Sequence, residues 1–324
     1  MNNKNIWLDG IMGVVVGDAL GLPVQFSSRE EVEEEPVTDM IGFGVFNMPP
    51  GSWSDDSSLT LAALSSINEL GRIDSEDIMK RFVRWYDNGE YTPFGYAYDI
   101  GYTCETAICN YKDTQNYKEC GLGDVRSNGN GSLMRIMPAC LYTYEKVMSS
   151  ELEEEKGLDL IHEVSALTHA HLRAKQACGI YYFLVKNILN YEGTLAERLR
   201  AGMDDALAFY RNDIGNLAQL AHYHRLTDLD EFKNIPRDMI ESSGYVVDTL
   251  EAAVWCLLNT DNLKECLLKA VNLGDDTDTV AAVAGGLAGL YYGYDSMPEE
   301  WLEKIQKRFW IKRMCDLKKQ KSFG

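Results

Sequence analysis

Apolar residues recur at helical spacing along nearly the whole chain, while alternating runs of strand type are scarce. Ile6–Leu20 reads as a helix with an apolar face and many small residues, stopped by Gly21 and Pro23. Further helices are predicted over Leu59–Leu70, Ser75–Tyr86, Thr103–Tyr111, Leu158–Leu167, Leu172–Asn190, Leu250–Leu258, Asn262–Ala270 and Val280–Leu290. Pro298–Arg313 is amphipathic, and the basic tail after it is expected to fray. Arg29–Glu35 reads as a solvated acidic face, Gly42–Gly51 as a Gly/Pro loop, and Tyr91–Ile100 as an aromatic loop. Tyr191–Ser243 carries helical patches and no motif. The pattern predicts an all-α fold in one compact domain spanning 1–324, because the acid-rich motifs lie at opposite ends of the chain and have to meet.

Those motifs are what the periodicity cannot explain. Gly274-Asp275-Asp276-Thr277-Asp278-Thr279 opens the small-residue helix Val280–Leu290. A helix N-terminus carries roughly half a positive charge, too little to hold three carboxylates. Crowding of like charges raises their pKa values or recruits a cation. Ser52-Trp53-Ser54-Asp55-Asp56-Ser57 opens the helix Leu59–Leu70 in the same way. Ser and Asp are preferred N-caps, but one such residue suffices for a cap. Ser54, Asp55, Asp56, Asp276, Asp278 and Thr279 together form a set of hard oxygen donors, suited to magnesium, manganese or calcium rather than zinc or copper. Four carboxylates make room for two such cations.

Two other stretches carry candidate chemistry. Asn128-Gly129-Asn130-Gly131-Ser132-Leu133-Met134-Arg135 is a Gly-rich loop entering a helix, readable as a phosphate cradle or as a tight turn. Arg135 could pair with a buried acid or touch a ligand. His169 and His171, two apart, share no helix face, which argues against a zinc pair.

Net charge removes some partners. At −19 for 324 residues, the chain is a poor ligand for a nucleic-acid backbone or an anionic membrane. No signal-peptide pattern and no uninterrupted apolar run of membrane-spanning length are expected. The eight cysteines contain no CxxC pair and sit in apolar surroundings, as reduced core residues of a cytoplasmic protein do.

In this order along the chain, Gly17-Asp18-Ala19-Leu20-Gly21, Trp53-Ser54-Asp55-Asp56-Ser57, Gly129–Arg135, Leu167-Thr168-His169 and Gly274–Thr279 with its small-residue helix resemble the ADP-ribosylglycohydrolase family. The resemblance implies an orthogonal all-α bundle with a binuclear magnesium or manganese site at the base of a cleft. It implies hydrolysis of the C1″ bond between ADP-ribose and an acceptor, on an ADP-ribosylated protein or a small conjugate. Carried over by position, Ser54, Asp55, Asp56, Asp276, Asp278 and Thr279 are the metal ligands, and Asp18 is a buried acid near them. Asp56, Asp278 and Asp99 are the catalytic acids, with Asp99 beside the scissile bond. Gln25, Asp99, Gly129, Asn130, Gly131, Ser132, Leu133, Met134, Arg135, His169 and Tyr245 face the substrate.

Two departures stand out. Gln25 occupies a position where characterised relatives carry Glu, and an amide exchanges no proton at neutral pH. Asp275 occupies a position where relatives often have Gly, and is expected to face solvent. The resemblance also leaves room for hydrolysis of a different ADP-ribose conjugate or N-glycoside, and for a non-catalytic, crystallin-like binding protein.

Overall fold

The computed structural model describes residues 5–321. It is all-α: no strand occurs among the described residues, and the bridges Gly129 to Tyr245 and Leu122 to His169 are isolated. The helices that position the cleft are α1 (Ile6–Gly21), α2 (Asp55–Leu70), α3 (Tyr102–Thr114), α4 (Leu172–Asn190), α5 (Val246–Leu258) and α6 (Thr277–Tyr292).

α1 and α6 run antiparallel through the middle of the core with their backbones almost touching. A Cβ at Gly13 would lie 2.1 Å from the Gly285 carbonyl oxygen, and one at Gly21 would lie 2.4 Å from the Cα of Asp278. Small residues on both helices therefore do more than fill a buried space: they let two main chains approach where any side chain would separate them. Ile6–Val24 has the length and mean hydropathy (1.4) of a membrane span, but it is interrupted by Asp9, Asp18 and several glycines, and 94% of it is buried inside the protein. One apolar core runs from Trp7 through Trp53, Trp85 and Tyr181 to Trp301.

The predicted helices are present, with shifted ends. α2 begins at Asp55, so both of its acids lie in the first turn. α4 matches its predicted span, Leu172–Asn190. The stretch without a motif contains a long helix, Leu195–Tyr210, started by a Thr194/Glu197 capping box, followed by short helical turns. Near the C-terminus the amphipathic stretch breaks into Glu299–Lys304 and Arg308–Lys321. The basic tail is helical through Lys321 rather than frayed, and its last residues lie outside the described ones. Arg29–Glu34 is helical and acidic, but Arg29 itself turns inward and donates to the Leu273 and Ile240 carbonyls. All eight cysteines are free, and all but Cys109 are buried.

Candidate active site

Two helix starts meet at one cleft. At the first, the N-cap Ser54 accepts from the Asp56 amide at 3.3 Å and the rest of the capping comes from outside the helix. Asp18, one turn before the end of α1, accepts from the Ser54 amide (2.9 Å), the Ser57 amide (3.0 Å) and the Ser57 hydroxyl (2.6 Å). Asp55 and Asp56 are thereby released from capping. At the second, Asp276 occupies the N-cap position of α6 yet makes no side-chain cap; its Oδ2 instead accepts from Asn130 Nδ2 at 2.7 Å. Asp276 is therefore not used as a cap, while Asp278 Oδ1 accepts from the Thr279 amide at 2.9 Å.

The buried carboxylates carry oxygens with no partner: Asp56 Oδ1, Asp276 Oδ1, Asp278 Oδ2 and Asp99 Oδ2. Ser54 and Thr279 both direct their hydroxyl hydrogens to Asp56 Oδ2 (3.1 and 3.4 Å), and Ser54 Oγ also accepts from the Asp56 amide at 3.3 Å. Burial, reinforced by neighbouring carboxylates, pushes Asp55, Asp56 and Asp278 well above the usual carboxylate range. Burial raises Asp18 to about 6 against the hydrogen bonds from Ser57 and Ser54. It raises Asp99 to about 7, with Gln25 and Asp278 beside it pulling the other way. Unpartnered oxygens in a buried cluster are costly, and hard divalent cations match this donor set. The residues present therefore fit such ions. Among the described residues, no three carboxylate, imidazole or thiol groups gather tightly enough to form a metal-holding group by themselves.

A cavity of about 250 Å³ opens over this cluster. Asp55, Asp56, Asp276 and Thr279 line its floor, with Gln25 and Asp99 on one side. Gly129, Asn130, Gly131, Met134 and His169 line another. Ser54 and Asp278 lie behind the floor, fully enclosed. His169 is held neutral, its pKa pushed down to about 3 by burial and then by Arg135. Its Nδ1 pairs with the Thr168 hydroxyl at 2.9 Å. The Gly-rich loop is fastened to the start of α5 by Asn130 N to the Gly244 carbonyl and Val246 N to the Asn128 carbonyl, both 3.0 Å.

Four residues expected to face the substrate do not line the cavity. The Arg135 side chain is wholly buried and faces away from the cavity. It lies 4.6 Å from the Phe82 ring and donates to the Val164 carbonyl and to Thr168 Oγ1. The Ser132 hydroxyl faces Ser165 and Cys178 in the core, and Leu133 is a core residue. The loop turns into a helix here, so successive side chains point to opposite sides and only part of the motif reaches the cleft. Tyr245 stands outside the cavity lining, its hydroxyl accepting from Arg173 at 2.9 Å. Asp275 is exposed, as expected, with a left-handed φ of 63°.

The sequence reading missed Phe26, Gly101, Tyr102, Thr103, Cys104 and Gly244, which also line the cavity. Adjacency to Gln25, Asp99 and Tyr245 was the available signal for Phe26, for Gly101 to Thr103 and for Gly244; Cys104 carried none.

The chain is thus a helical scaffold with an oxygen-rich cleft between two acidic helix starts. The sequence profile of the ADP-ribosylglycohydrolase family matches residues 4–322. The chain belongs to that family and is a hydrolase of its type. ADP-ribosylarginine hydrolase Tri1 of Serratia proteamaculans is 32% identical, across 94% of this chain and 76% of its own. The ADP-ribosyl-dinitrogen reductase glycohydrolase of Rhodospirillum rubrum is 31% identical, across 93% and 90%. A solved structure titled ADP-ribosylglycohydrolase-related protein complex superposes with a TM-score of 0.78 at 30% identity, covering 99% of each chain.

Proposed function

We propose that this protein hydrolyses the C1″ glycosidic bond between ADP-ribose and an acceptor, using two divalent cations, magnesium or manganese. The observation that carries the reading is the set of unpartnered oxygens on Asp56, Asp276, Asp278 and Asp99 around one cavity. Ser54, Asp55, Asp56, Asp276, Asp278 and Thr279 would hold the cations. When bound, these supply charge neutralisation and Lewis-acid polarisation of the ribose end.

The chain's own groups then have separable tasks. Asn130 fixes the orientation of Asp276 through the 2.7 Å bond. Asp18 fixes the Ser54–Ser57 turn. Asp99, raised to about 7, is matched to proton exchange near neutral pH, and its free Oδ2 can orient a water or protonate a leaving group. Gln25 cannot exchange a proton and serves as a hydrogen-bonding neighbour of Asp99. Neutral His169 and the backbone of Gly129 to Gly131 bind the sugar and diphosphate without adding charge. A guanidinium acceptor, as in the name of the Serratia relative, is the first to try.

Release of free ADP-ribose from arginine-linked and serine-linked peptides and from O-acetyl-ADP-ribose tests this, with magnesium, with manganese and with chelator. The expected result is metal-dependent release from the arginine conjugate. No release from any of them, with ADP-ribose still bound, would turn the assignment to a binding protein.

A further inference from the structure

Apart from glycines, the cavity lining holds two exposed side chains, and both are aromatic. Phe26 is 64% and Tyr102 77% exposed. Neither exposure helps the fold. Phe26 also sits at a left-handed φ of 66°, fixed by its amide donating to the Asp275 carbonyl at 2.7 Å. A bulky residue in a strained conformation with its ring in water is a cost that persists where it serves a site. Tyr102 is the first residue of α3, behind the Gly101 N-cap, so its backbone is anchored while its ring stands free.

Both residues line the cavity together with the same pair of side chains and lie next to them along the chain. Phe26 follows Gln25, Tyr102 comes three residues after Asp99, and Gln25 adjoins Asp99. Every charged residue lining the cavity is an aspartate, and no Lys or Arg lines it. Two aromatic faces beside a partly buried carboxylate are the chemistry that holds a flat cation. The net charge of −19 favours approach of such a group from a distance.

We propose that Phe26 and Tyr102 are specificity-determining residues, a pair of aromatic lips that hold a planar cationic acceptor, a guanidinium, as its ribose enters the cleft. The inference rests on the hydrolase reading for the direction in which substrate lies. Neutral acceptors such as a serine hydroxyl gain nothing from the pair.

The test uses one peptide sequence ADP-ribosylated either on arginine or on serine, with Phe26→Leu, Tyr102→Ala and Tyr102→Phe. For the arginine conjugate, Phe26→Leu and Tyr102→Ala are each expected to raise KM about fivefold, the scale of a partly desolvated cation–π contact, with kcat within twofold. The serine conjugate and Tyr102→Phe should stay within twofold. Both rings are exposed, so unchanged melting temperatures should accompany these shifts. Equal changes for the two conjugates, or none, overturn the proposal. The same contrast is read by equilibrium binding of the intact conjugates. A wild-type protein without turnover would therefore overturn the hydrolase reading while binding still decides on the aromatic pair.

Discussion

Replacing Gly17 by Ala tests whether the contact between α1 and α6 sets the site. A Cβ at Gly17 would lie 2.1 Å from the Ala281 carbonyl oxygen and 2.4 Å from its carbon. Both atoms are backbone, so no rotamer change relieves the clash. Restoring an ordinary contact requires the helices to part by about 1.2 Å. Overpacking of this kind costs about 3 kcal/mol or more, offset by roughly 1 kcal/mol because Ala is the better helix former. The net of about 2–3 kcal/mol corresponds to a fall in Tm of about 3–4 °C for a chain of this size. The displacement also carries Asp18 away from Ser54 and Ser57, at distances of 2.6–3.1 Å that tolerate little, and Gly21 away from Asp278. Activity should fall further than stability alone explains, because the two halves of the acid set separate. Gly10→Ala on the same helix is the control. Its Cβ would meet only the side chains of Leu290 and Met137 at 3.1–3.2 Å, which can give way. Thermal unfolding and ADP-ribose release are measured for both. A Gly17→Ala protein as stable and active as Gly10→Ala would refute the reasoning.

Asp55→Ala and Asp278→Ala should each weaken magnesium binding and abolish hydrolysis; calorimetry showing normal binding with normal turnover would remove both from the metal set. Arg135→Met should leave KM within about threefold while lowering stability by ~2 kcal/mol, since three charge-assisted hydrogen bonds to Val164 and Thr168 are lost and one unfavourably buried charge is relieved. A tenfold KM increase with unchanged Tm would return Arg135 to the substrate. His162, bonded to the Tyr210 hydroxyl at 2.6 Å, has its pKa lowered from 6.5 to about 4 by burial and then by Lys175. The unfolded chain then binds the proton first, so stability is full above pH 6.5 and declines as pH falls toward 4. Relative to His162→Gln, the wild type should lose about 1 kcal/mol between pH 7.5 and 5.5, and parallel unfolding curves across that range would contradict the assignment.

The helices were legible because burial imposes the 3.6-residue period that the chain displays. Their ends were less so: α2 starts at Asp55 behind the N-cap Ser54, and no local pattern reports the second cap that Asp18 supplies from another helix. The acid set was legible from its excess over what capping needs. The Gly-rich loop was legible as a motif and not as a set of directions. Asn130 reaches Asp276 from one side of that turn while Arg135 reaches Val164 and Thr168 from the other. The motif therefore mixes residues that face the cleft with residues that hold the wall behind it.

The close approach of α1 and α6 joins these points into one argument. Gly13, Gly17 and Gly21 occur at intervals of four on α1, one face of a helix, opposite Gly285, Ala281 and Asp278. That face is bordered by Asp18, which organises the first acid motif, and ends against Asp278 of the second. The apolar appearance of both helices conceals a register: sliding one past the other by a single residue would put side chains where backbone now meets backbone. A chain that brings together carboxylates more than 200 residues apart, against their mutual repulsion, needs a rigid contact to set their spacing. Here that contact is made of glycine and alanine, residues that in a sequence read only as small.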